Sequence, residues 1–253
     1  MYQINFSVDK SKSHWYKDTE KLFSKRIRSS GGIVAATENG GRLDISVACE
    51  NKDRQRIIST IREHIADMFL TTVKLEYLQA VLVLPGLKDD AYKLLLHTLA
   101  AFDRETERDI VYCALNFGDN VALDGIFYFR LAELKRRWDD IAELAVNNAV
   151  YLHNDETLNA LLRFLISAIS PKISRIEVVK QNGGYKIKGD GGGRFEYRVH
   201  SSEQLMLYLI NIAPTQLTLC GSFENDNIVD RLTAIFDVKS ENFPRVKTTD
   251  FRG

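Results

Sequence analysis

The sequence predicts an α+β fold, with a helical central core and small α/β units at the N- and C-terminal ends. Near both ends, apolar and polar residues alternate with the period of two that is typical of half-buried strands. Between residues 52 and 170, apolar residues recur instead every three or four positions, which is the spacing of one face of a helix. Asn-Gly-Gly sequences separate strand-like segments near both ends, as tight hairpin turns require.

Residues 1–50 are predicted to form the N-terminal α/β unit. Its elements are, in order, a strand at 2–8, a helix at 14–28 and strands at 33–36 and 42–49. Gly31-Gly32 ends the helix, and Asn39-Gly40-Gly41 joins the last two strands because Asn and Gly accept a positive φ. The alternation of the first strand places one of its faces against a core.

Residues 51–170 are predicted to be helical throughout and to hold the main core. One apolar stripe runs from Ile58 to Leu82, with a break predicted near Thr71-Thr72-Val73, where β-branched residues crowd the helix. A second stripe predicts one long helix over 123–152, in which Leu134, Trp138 and Ile141 are buried. Shorter helices are predicted at 87–102, 105–117 and 156–169, with Asn154 or Asp155 as the N-cap of the last.

Residues 171–253 are predicted to form the C-terminal α/β unit with a loose tail. Its elements are strands at 173–180, 185–188, 195–199 and 216–220 and helices at 202–212 and 225–236. Asn182-Gly183-Gly184 predicts a second hairpin, and Ser201 or Ser202 can cap the first of these helices. The segment 239–253 has no apolar periodicity, so we expect it to be loose.

Composition excludes some classes of protein. Lys plus Arg number 34 and Asp plus Glu number 34, so net charge gives no general attraction to nucleic acid or an anionic membrane. The cysteines Cys49, Cys113 and Cys220 lack CxxC spacing and fit a reducing compartment. No secretory signal and no stretch of roughly 18 apolar residues is found. We therefore expect a cytoplasmic protein without a membrane span.

The run Leu123-Asp124-Gly125-Ile126-Phe127-Tyr128-Phe129-Arg130-Leu131, its following helix, and Ile169-Ser170-Pro171-Lys172-Ile173 with the strand to Val179 resemble a known family. They are similar to the YtxC-like putative sporulation proteins of endospore-forming bacteria. The resemblance spans about residues 123–179. It implies a cytoplasmic protein linked to sporulation, and it carries over no catalytic residue, because the shared residues are packing and turn residues.

Few residues of the sequence have the types and spacing of a catalytic or metal-binding site. The five histidines are isolated in the sequence, so we expect no metal site and no cofactor. The turn Cys220-Gly221-Ser222, between a strand and the last helix, can be read as a reactive thiolate near a helix dipole or as a buried strand-end cysteine. The second reading is favoured. It predicts that Cys220 reacts with thiol reagents at an ordinary or slow rate.

One basic cluster invites a nucleic-acid reading: Arg130, Lys135, Arg136 and Arg137. A second basic group lies on the first helix, at residues 21–28. Phosphates favour such clusters through counterion release. Carboxylates are interleaved in both, however, so salt-bridged solvated faces are favoured. We therefore expect that the protein shows no salt-sensitive binding of DNA or RNA at physiological salt.

Three function classes remain. A non-enzymatic protein-interaction or structural module is favoured, because long amphipathic helices supply surfaces without a reactive constellation. Nucleic-acid binding by the basic groups is the second interpretation, and an enzyme with a site at Cys220 is the third. Apolar residues that flank the two long stripes make them wider than the seam of a helix pair: Ile57, Phe69 and Val73 on one, and Ile126, Phe129 and Leu144 on the other. Either the small α/β units fold back onto these flanks, or a second protein covers them, most simply in a symmetric homodimer.

Overall fold

The computed structural model describes residues 1–115, 118, 120–181, 183–189, 195–221, 223 and 228–240. The chain divides into two compact units, each built from two segments. Unit 1 comprises Met1–Pro85 and Asp103–Ala149, and unit 2 comprises Gly86–Phe102 and Val150–Gly253. The predicted helical centre, 51–170, is thereby shared between the two units.

The strands of the described residues are β1 (Tyr2–Asp9), β2 (Gly32–Asn39), β3 (Arg42–Cys49), β4 (Asn120–Ala122), β5 (Arg175–Gln181), β6 (Gly184–Gly189), β7 (Phe195–Val199), β8 (Gln216–Cys220) and β9 (Val238–Ser240). The α-helices are α1 (His14–Lys17), α2 (Glu20–Ser29), α3 (Arg54–Met68), α4 (Lys74–Val81), α5 (Asp89–Ala101), α6 (Arg104–Ala114), α7 (Leu123–Gly125), α8 (Ala132–Asn147), α9 (Ala149–Leu152), α10 (Asp155–Ser167), α11 (Ser202–Ile212) and α12 (Ile228–Ile235). Two π-helices, Phe69–Val73 and Ile126–Arg130, lie between α3 and α4 and between α7 and α8.

The sheet of unit 1 has four strands in the order β2-β3-β1-β4. β3 is antiparallel to both β1 and β2, and β4 is parallel to β1. Gly40 and Gly41 form the predicted turn between β2 and β3, with φ of 54° and 83°, which favours glycine at both positions. The buried positions of β1 and β3 are Ile4, Phe6, Val8, Leu43, Ile45, Val47 and Cys49. The alternation read from the sequence therefore faces the core of this unit.

The two long apolar stripes form helical runs that are each widened by a π-helix. The first runs through α3 and α4, and its π-helix includes the predicted break at Thr71-Thr72-Val73. The predicted helix over 123–152 is wrong as a continuous helix, because it is interrupted at Leu131 and at Asn148. Its buried positions are Leu131, Leu134, Trp138, Ala142 and Ala145. Ile141, predicted to be buried, is partly exposed, and the neighbouring Ala142 takes its place in the buried seam.

The sheet of unit 2 has five strands in the order β7-β6-β5-β8-β9. β6 is antiparallel to β5 and β7, whereas β8 is parallel to β5 and β9 is parallel to β8. One face is buried, with α11 packed against β6 and β7, and it carries Ile176, Val178, Ile187, Leu217 and Leu219. The opposite face is polar and exposed to half-buried. α5 packs against α10 and α11, and α10 also contacts α12.

The α+β fold is confirmed, with small mixed sheets in the N- and C-terminal regions and helices between them. Two predicted N-caps form: Asn154 Oδ1 accepts from the Thr157 N–H at 2.9 Å, and Ser201 Oγ accepts from the Gln204 N–H at 3.1 Å. β4 and β9 were not predicted, because three residues are too few to show an alternation. Lys239 belongs to β9 and so departs from the predicted loose tail.

Some predictions fall outside the described residues. These are the middle of the second hairpin at Asn182, the first residues of the helix predicted at 225–236, and the tail from 241 onward. In the part of the chain that the structure describes, no helix combines the length and the apolar character needed to cross a bilayer.

Candidate functional site

Phe127 is the centre of an aromatic cluster in unit 1. Its ring centroid lies 5.5 Å from that of Trp15, 6.2 Å from that of Phe69 and 6.2 Å from that of Tyr77. Tyr128 and Trp138 lie at 5.3 and 6.3 Å from it. Most of these pairs are edge-on or tilted, the arrangements that aromatic quadrupoles favour. Residues from five parts of the sequence thus meet around one ring.

A cleft of about 490 Å³ opens beside this cluster. It is lined by Lys12, Trp15, Val73, Glu76, Tyr77, Ala80, Phe127, Tyr128, Ala132, Lys135, Arg136 and Asp139. We call it the aromatic cleft. Ala80 and Ala132 are small and exposed, and Arg136 and Asp139 are exposed as well, so the cleft is an open groove rather than an enclosed cavity.

The two π-helices supply the aromatic wall. The second one turns Phe127 inward, where it is 5% exposed, and leaves Tyr128 half exposed at the rim. The first one buries Phe69 and Val73 on the other side of the Phe127 ring. π-helical turns cost hydrogen-bond quality and occur frequently at functional sites. Two of them beside one cleft therefore single out this part of unit 1.

Glu76 is the most heavily bonded carboxylate of the cleft. It accepts hydrogen bonds from Lys12 Nζ and from Trp15 Nε1 at 2.6 Å, and its Oε2 lies 2.8 Å from His14 Nε2. Partial burial alone raises the pKa of Glu76, but the bonds to Lys12, Trp15 and His14 outweigh it and hold the pKa at about 2. Glu76 is therefore a fixed anion whose acceptor sites are occupied.

Asp139 is the second carboxylate of the cleft, and it too has a donor. The Tyr77 hydroxyl donates to Asp139 Oδ1 at 2.7 Å. Burial, together with this bond to a carboxylate, raises the pKa of Tyr77 to about 12. The phenol therefore stays protonated and keeps Asp139 engaged at neutral pH.

The cations of the cleft are less well matched than its anions. The Lys135 ammonium lies 5.4 Å from the Phe127 ring centroid and 5.7 Å from that of Tyr128, and it donates to the Tyr128 carbonyl at 3.1 Å. Among the residues that the structure describes, Lys135 has no carboxylate partner. Arg136 reaches Asp140 only at 3.9 Å and its side chain is 70% exposed. The cleft therefore presents positive charge beside aromatic rings.

A buried ion pair joins helices of unit 1 that include α4 and α8, both of which contribute residues to the cleft. Lys74 Nζ donates to both carboxylate oxygens of Glu107 at 2.8 Å, and Trp138 Nε1 donates to Glu107 Oε1 at 2.8 Å. Lys74 and Glu107 are fully buried. Burial lowers the pKa of Lys74 and raises the pKa of Glu107, and the contact between them opposes both shifts. This network fixes α4, α6 and α8 relative to one another.

The four basic residues of the cluster predicted from the sequence lie at different places in the structure. Lys135 and Arg136 line the aromatic cleft. Arg130 lies at a separate depression with Phe129, and its Nη1 donates to the Ala114 carbonyl at 3.4 Å. Arg137 bonds to Glu133 at 3.1 Å along the helix. Two of the four thus converge on one place and two do not, and the expectation that this group does not bind nucleic acid stays a prediction.

Cys220, the other residue singled out, ends β8 and is paired in register with Val179. It is half-buried. Ser222 and residues 224–227 lie outside the described residues, so the predicted turn at Cys220-Gly221-Ser222 and the predicted start of the last helix are described only in part. Its ordinary or slow reactivity stays a prediction.

Sequence reasoning missed Trp15, Glu76, Tyr77 and Phe127 as members of one site. The aromatic triplet Phe127-Tyr128-Phe129 was a usable signal, since three rings in succession cannot all be buried on one helix face. Glu76 gave none, because its donors are more than sixty residues away in sequence.

Histidines and metal ligands form no site in the described ranges. No three His, Cys, Asp or Glu side chains there are placed to hold a metal ion. His64 is buried, with its Nε2 3.1 Å from the Thr19 hydroxyl and its ring 4.3 Å from that of Phe23. Burial lowers the pKa of His64 to about 4, as expected of a neutral core histidine.

No family model, curated protein or solved structure matches this chain. A function must therefore be argued from the residues of the chain itself.

Proposed function

We propose that the protein is a non-enzymatic interaction module, whose aromatic cleft binds an acidic segment of a partner protein that also carries an apolar side chain. The open groove suits an extended or helical segment. Its aromatic wall offers contact area to an apolar side chain, and Lys135 and Arg136 offer charge to a neighbouring carboxylate. Aromatic residues and Arg are the residues that most often dominate protein interfaces.

One observation carries the proposal: the carboxylates lining the cleft are engaged by donors, as is the cation Lys12, whereas the cations Lys135 and Arg136 are not engaged to the same extent. Glu76 has three donors and Asp139 has one. Lys135 has ring faces and a carbonyl, but no carboxylate among the described residues. A ligand carboxylate would supply the missing partner, and charged hydrogen bonds of this kind are among the stronger ones.

The lining of the cleft favours binding over catalysis. A general base works best with a pKa near the working pH, whereas Glu76 has a pKa of about 2. The twelve lining residues include no serine, threonine or cysteine to act as a nucleophile.

The resemblance to the YtxC-like family adds a cellular setting to the proposal. We place the protein in the cytoplasm of a spore-forming cell, with a role in sporulation and no cofactor. This setting rests on the residues at 123–179 alone, which include Phe127, Tyr128, Lys135 and Arg136.

A peptide library displayed against the full chain tests the binding proposal. We expect selected sequences to carry Asp or Glu within a few positions of Phe, Tyr or Leu. Lys135→Met keeps the length and apolar stem of the side chain and removes its charge, so it should weaken the selected peptides about tenfold, which is about 1.4 kcal/mol.

Lys25→Met is the matched control, because Lys25 is an exposed lysine of α2 in the same unit. It should bind the selected peptides as the unmodified chain does. Selection of basic peptides, or equal weakening by the two substitutions, would refute an anion-binding cleft.

A further inference from the structure

The exposed face of the sheet in unit 2 carries an excess of positive charge. The side chains of β5 to β9 that point away from the buried face include five cations, Arg175, Lys186, Lys188, Arg198 and Lys239, and two carboxylates, Glu177 and Glu196. We call this surface the basic sheet face. The chain as a whole is neutral, so this excess is a local feature.

Both carboxylates of the basic sheet face are already paired. Glu196 bonds to Lys186, and Glu177 lies 4.0 Å from Lys188. The hydrogen bond from Lys186 is the main cause that lowers the pKa of Glu196, and Arg198 contributes less. The Glu196 carboxylate is therefore ionised near neutral pH. In the described residues, Arg175, Arg198 and Lys239 form no ion pair with a carboxylate.

The register of β6 and β7 places two positive charges opposite each other, and a bound anion would reduce their repulsion. Lys186 stands directly opposite Arg198 across the antiparallel pair of β6 and β7. Like charges in directly opposed positions destabilise a sheet. The ion pair with Glu196 compensates the charge of Lys186, whereas Arg198 lies beside a like charge and forms no ion pair of its own within the described part of the chain.

The three unpartnered cations lie on every other strand of the sheet. Arg198 is on β7, Arg175 on β5 and Lys239 on β9, so neighbouring members are two strand spacings apart across the sheet, about 10 Å. They are also staggered along the strands, because Arg198 is level with Val179 of β5 and Lys239 is level with Glu177. A ligand that satisfies all three must be an extended polyanion and not a single small anion.

We propose that the basic sheet face binds the phosphate backbone of a nucleic acid. Specific protein partners need an apolar or aromatic core in the interface, and Val179 is the only large apolar side chain on this face in the described residues. Membrane-binding surfaces insert apolar or aromatic side chains as well. Nucleic-acid interfaces are instead polar and strongly positive.

The face also predicts the mode of binding. Among the described residues it presents no aromatic ring on which a base could stack, since Phe195 and Tyr197 belong to the other side of β7. Contacts are therefore to phosphates and independent of base sequence. The proposal uses none of the residues of the aromatic cleft or of the two basic groups on helices, for which no nucleic-acid binding was expected.

Fluorescence anisotropy with a labelled 20-base-pair DNA duplex and the full chain tests this inference. Three phosphate contacts predict a slope of about −2.7 for log K against log salt. Affinity should then fall roughly a hundredfold between 25 and 150 mM salt. Arg175→Gln with Arg198→Gln should reduce the slope by about two and weaken binding at 25 mM salt by at least tenfold.

The control is Arg28→Gln with Arg163→Gln, which changes the net charge equally on α2 and α10. It should keep the slope, and both double variants should keep the circular dichroism and melting of the unmodified chain. The inference is overturned by absent binding at 25 mM salt, by equal weakening in the control, or by loss of binding on Arg136→Ala with Arg137→Ala. If polyglutamate competed for the basic sheet face as well as DNA does, the face would be a binding site for an acidic protein. This result would also overturn the inference.

Discussion

Glu76 illustrates how single residues define the aromatic cleft. Its donors Lys12, His14 and Trp15 come from one short stretch after β1, whereas Glu76 itself lies on α4. The bonds therefore tie the N-terminal strand segment to the helical part of unit 1. They also keep the carboxylate charged to low pH, which leaves the ammonium of Lys135 as the group that a ligand can use.

Glu76→Gln should change how the stability of unit 1 depends on pH. The pKa of Glu76 is about 2 in the folded chain and 4.5 in its unperturbed state. Because the folded pKa is the lower one, the carboxylate contributes stability above about pH 4.5, and this is lost as the pH falls toward 2. The variant should be less stable at pH 7, with a difference that shrinks below pH 4.5. Urea unfolding at several pH values measures it, and a difference independent of pH would contradict this role.

Lys74 and Glu107 should behave as one unit. Lys74→Met leaves the Glu107 carboxylate buried without its main partner, which should cost about 3–5 kcal/mol of unfolding free energy. Adding Glu107→Gln removes the stranded charge and keeps an acceptor for Trp138, so the double variant should regain much of that loss. Urea unfolding followed by tryptophan fluorescence reports on unit 1, since it holds both tryptophans of the chain. Additive losses would show that the pair is not coupled.

The elements show what periodicity can and cannot predict. Strands β1 and β3, the Gly40-Gly41 turn and helix α10 follow from local spacing, turn and capping residues. The interruption at Leu131 does not, because the wide turn before it is stabilised by the burial of Phe127 among rings from distant segments. The aromatic cleft was not predicted from the sequence for the same reason, because its residues come together only in the folded chain.

Helix α8 carries the clearest test of the buried seam. Trp138 is fully buried and bonds to Glu107, so Trp138→Ala should cost about 3–5 kcal/mol. The melting transition of unit 1 should fall by about 10 °C or lose cooperativity. Trp138→Phe, which keeps most of the ring and loses the hydrogen bond, should be affected less. Calorimetry decides, and an unchanged curve for Trp138→Ala would contradict a buried seam.

At the scale of the whole molecule, the chain forms two compact units, each with its own sheet and its own proposed binding surface. Some of the apolar flanking residues from which a partner was predicted are buried in the structure, and others are exposed. Ile57, Phe69 and Val73 are buried, whereas Phe129 is 85% exposed and Leu144 is 66% exposed. Exposed apolar side chains of this size are candidates for an interface.

The homodimer predicted from those flanks remains a prediction. Light scattering at tens of micromolar should give twice the chain mass of 28.8 kDa. Phe129→Ser with Leu144→Ser should return the mass of a single chain without lowering the melting temperature, because both side chains are exposed. A mass of 28.8 kDa for the unmodified protein would remove the homodimer and leave the foreign partner.

The most direct test of the account is the tryptophan fluorescence of the full chain during titration with two defined peptides. Both tryptophans, Trp15 and Trp138, lie against Phe127, and Trp15 lines the aromatic cleft, so their emission responds to a ligand bound there. A 12-residue peptide with a central Glu-Phe-Glu should cause a saturable change that Lys135→Met weakens about tenfold and Lys25→Met does not. The same peptide with Lys-Phe-Lys should cause none. Equal responses to both peptides, or no saturable response up to millimolar concentration, would contradict the aromatic cleft as a binding site.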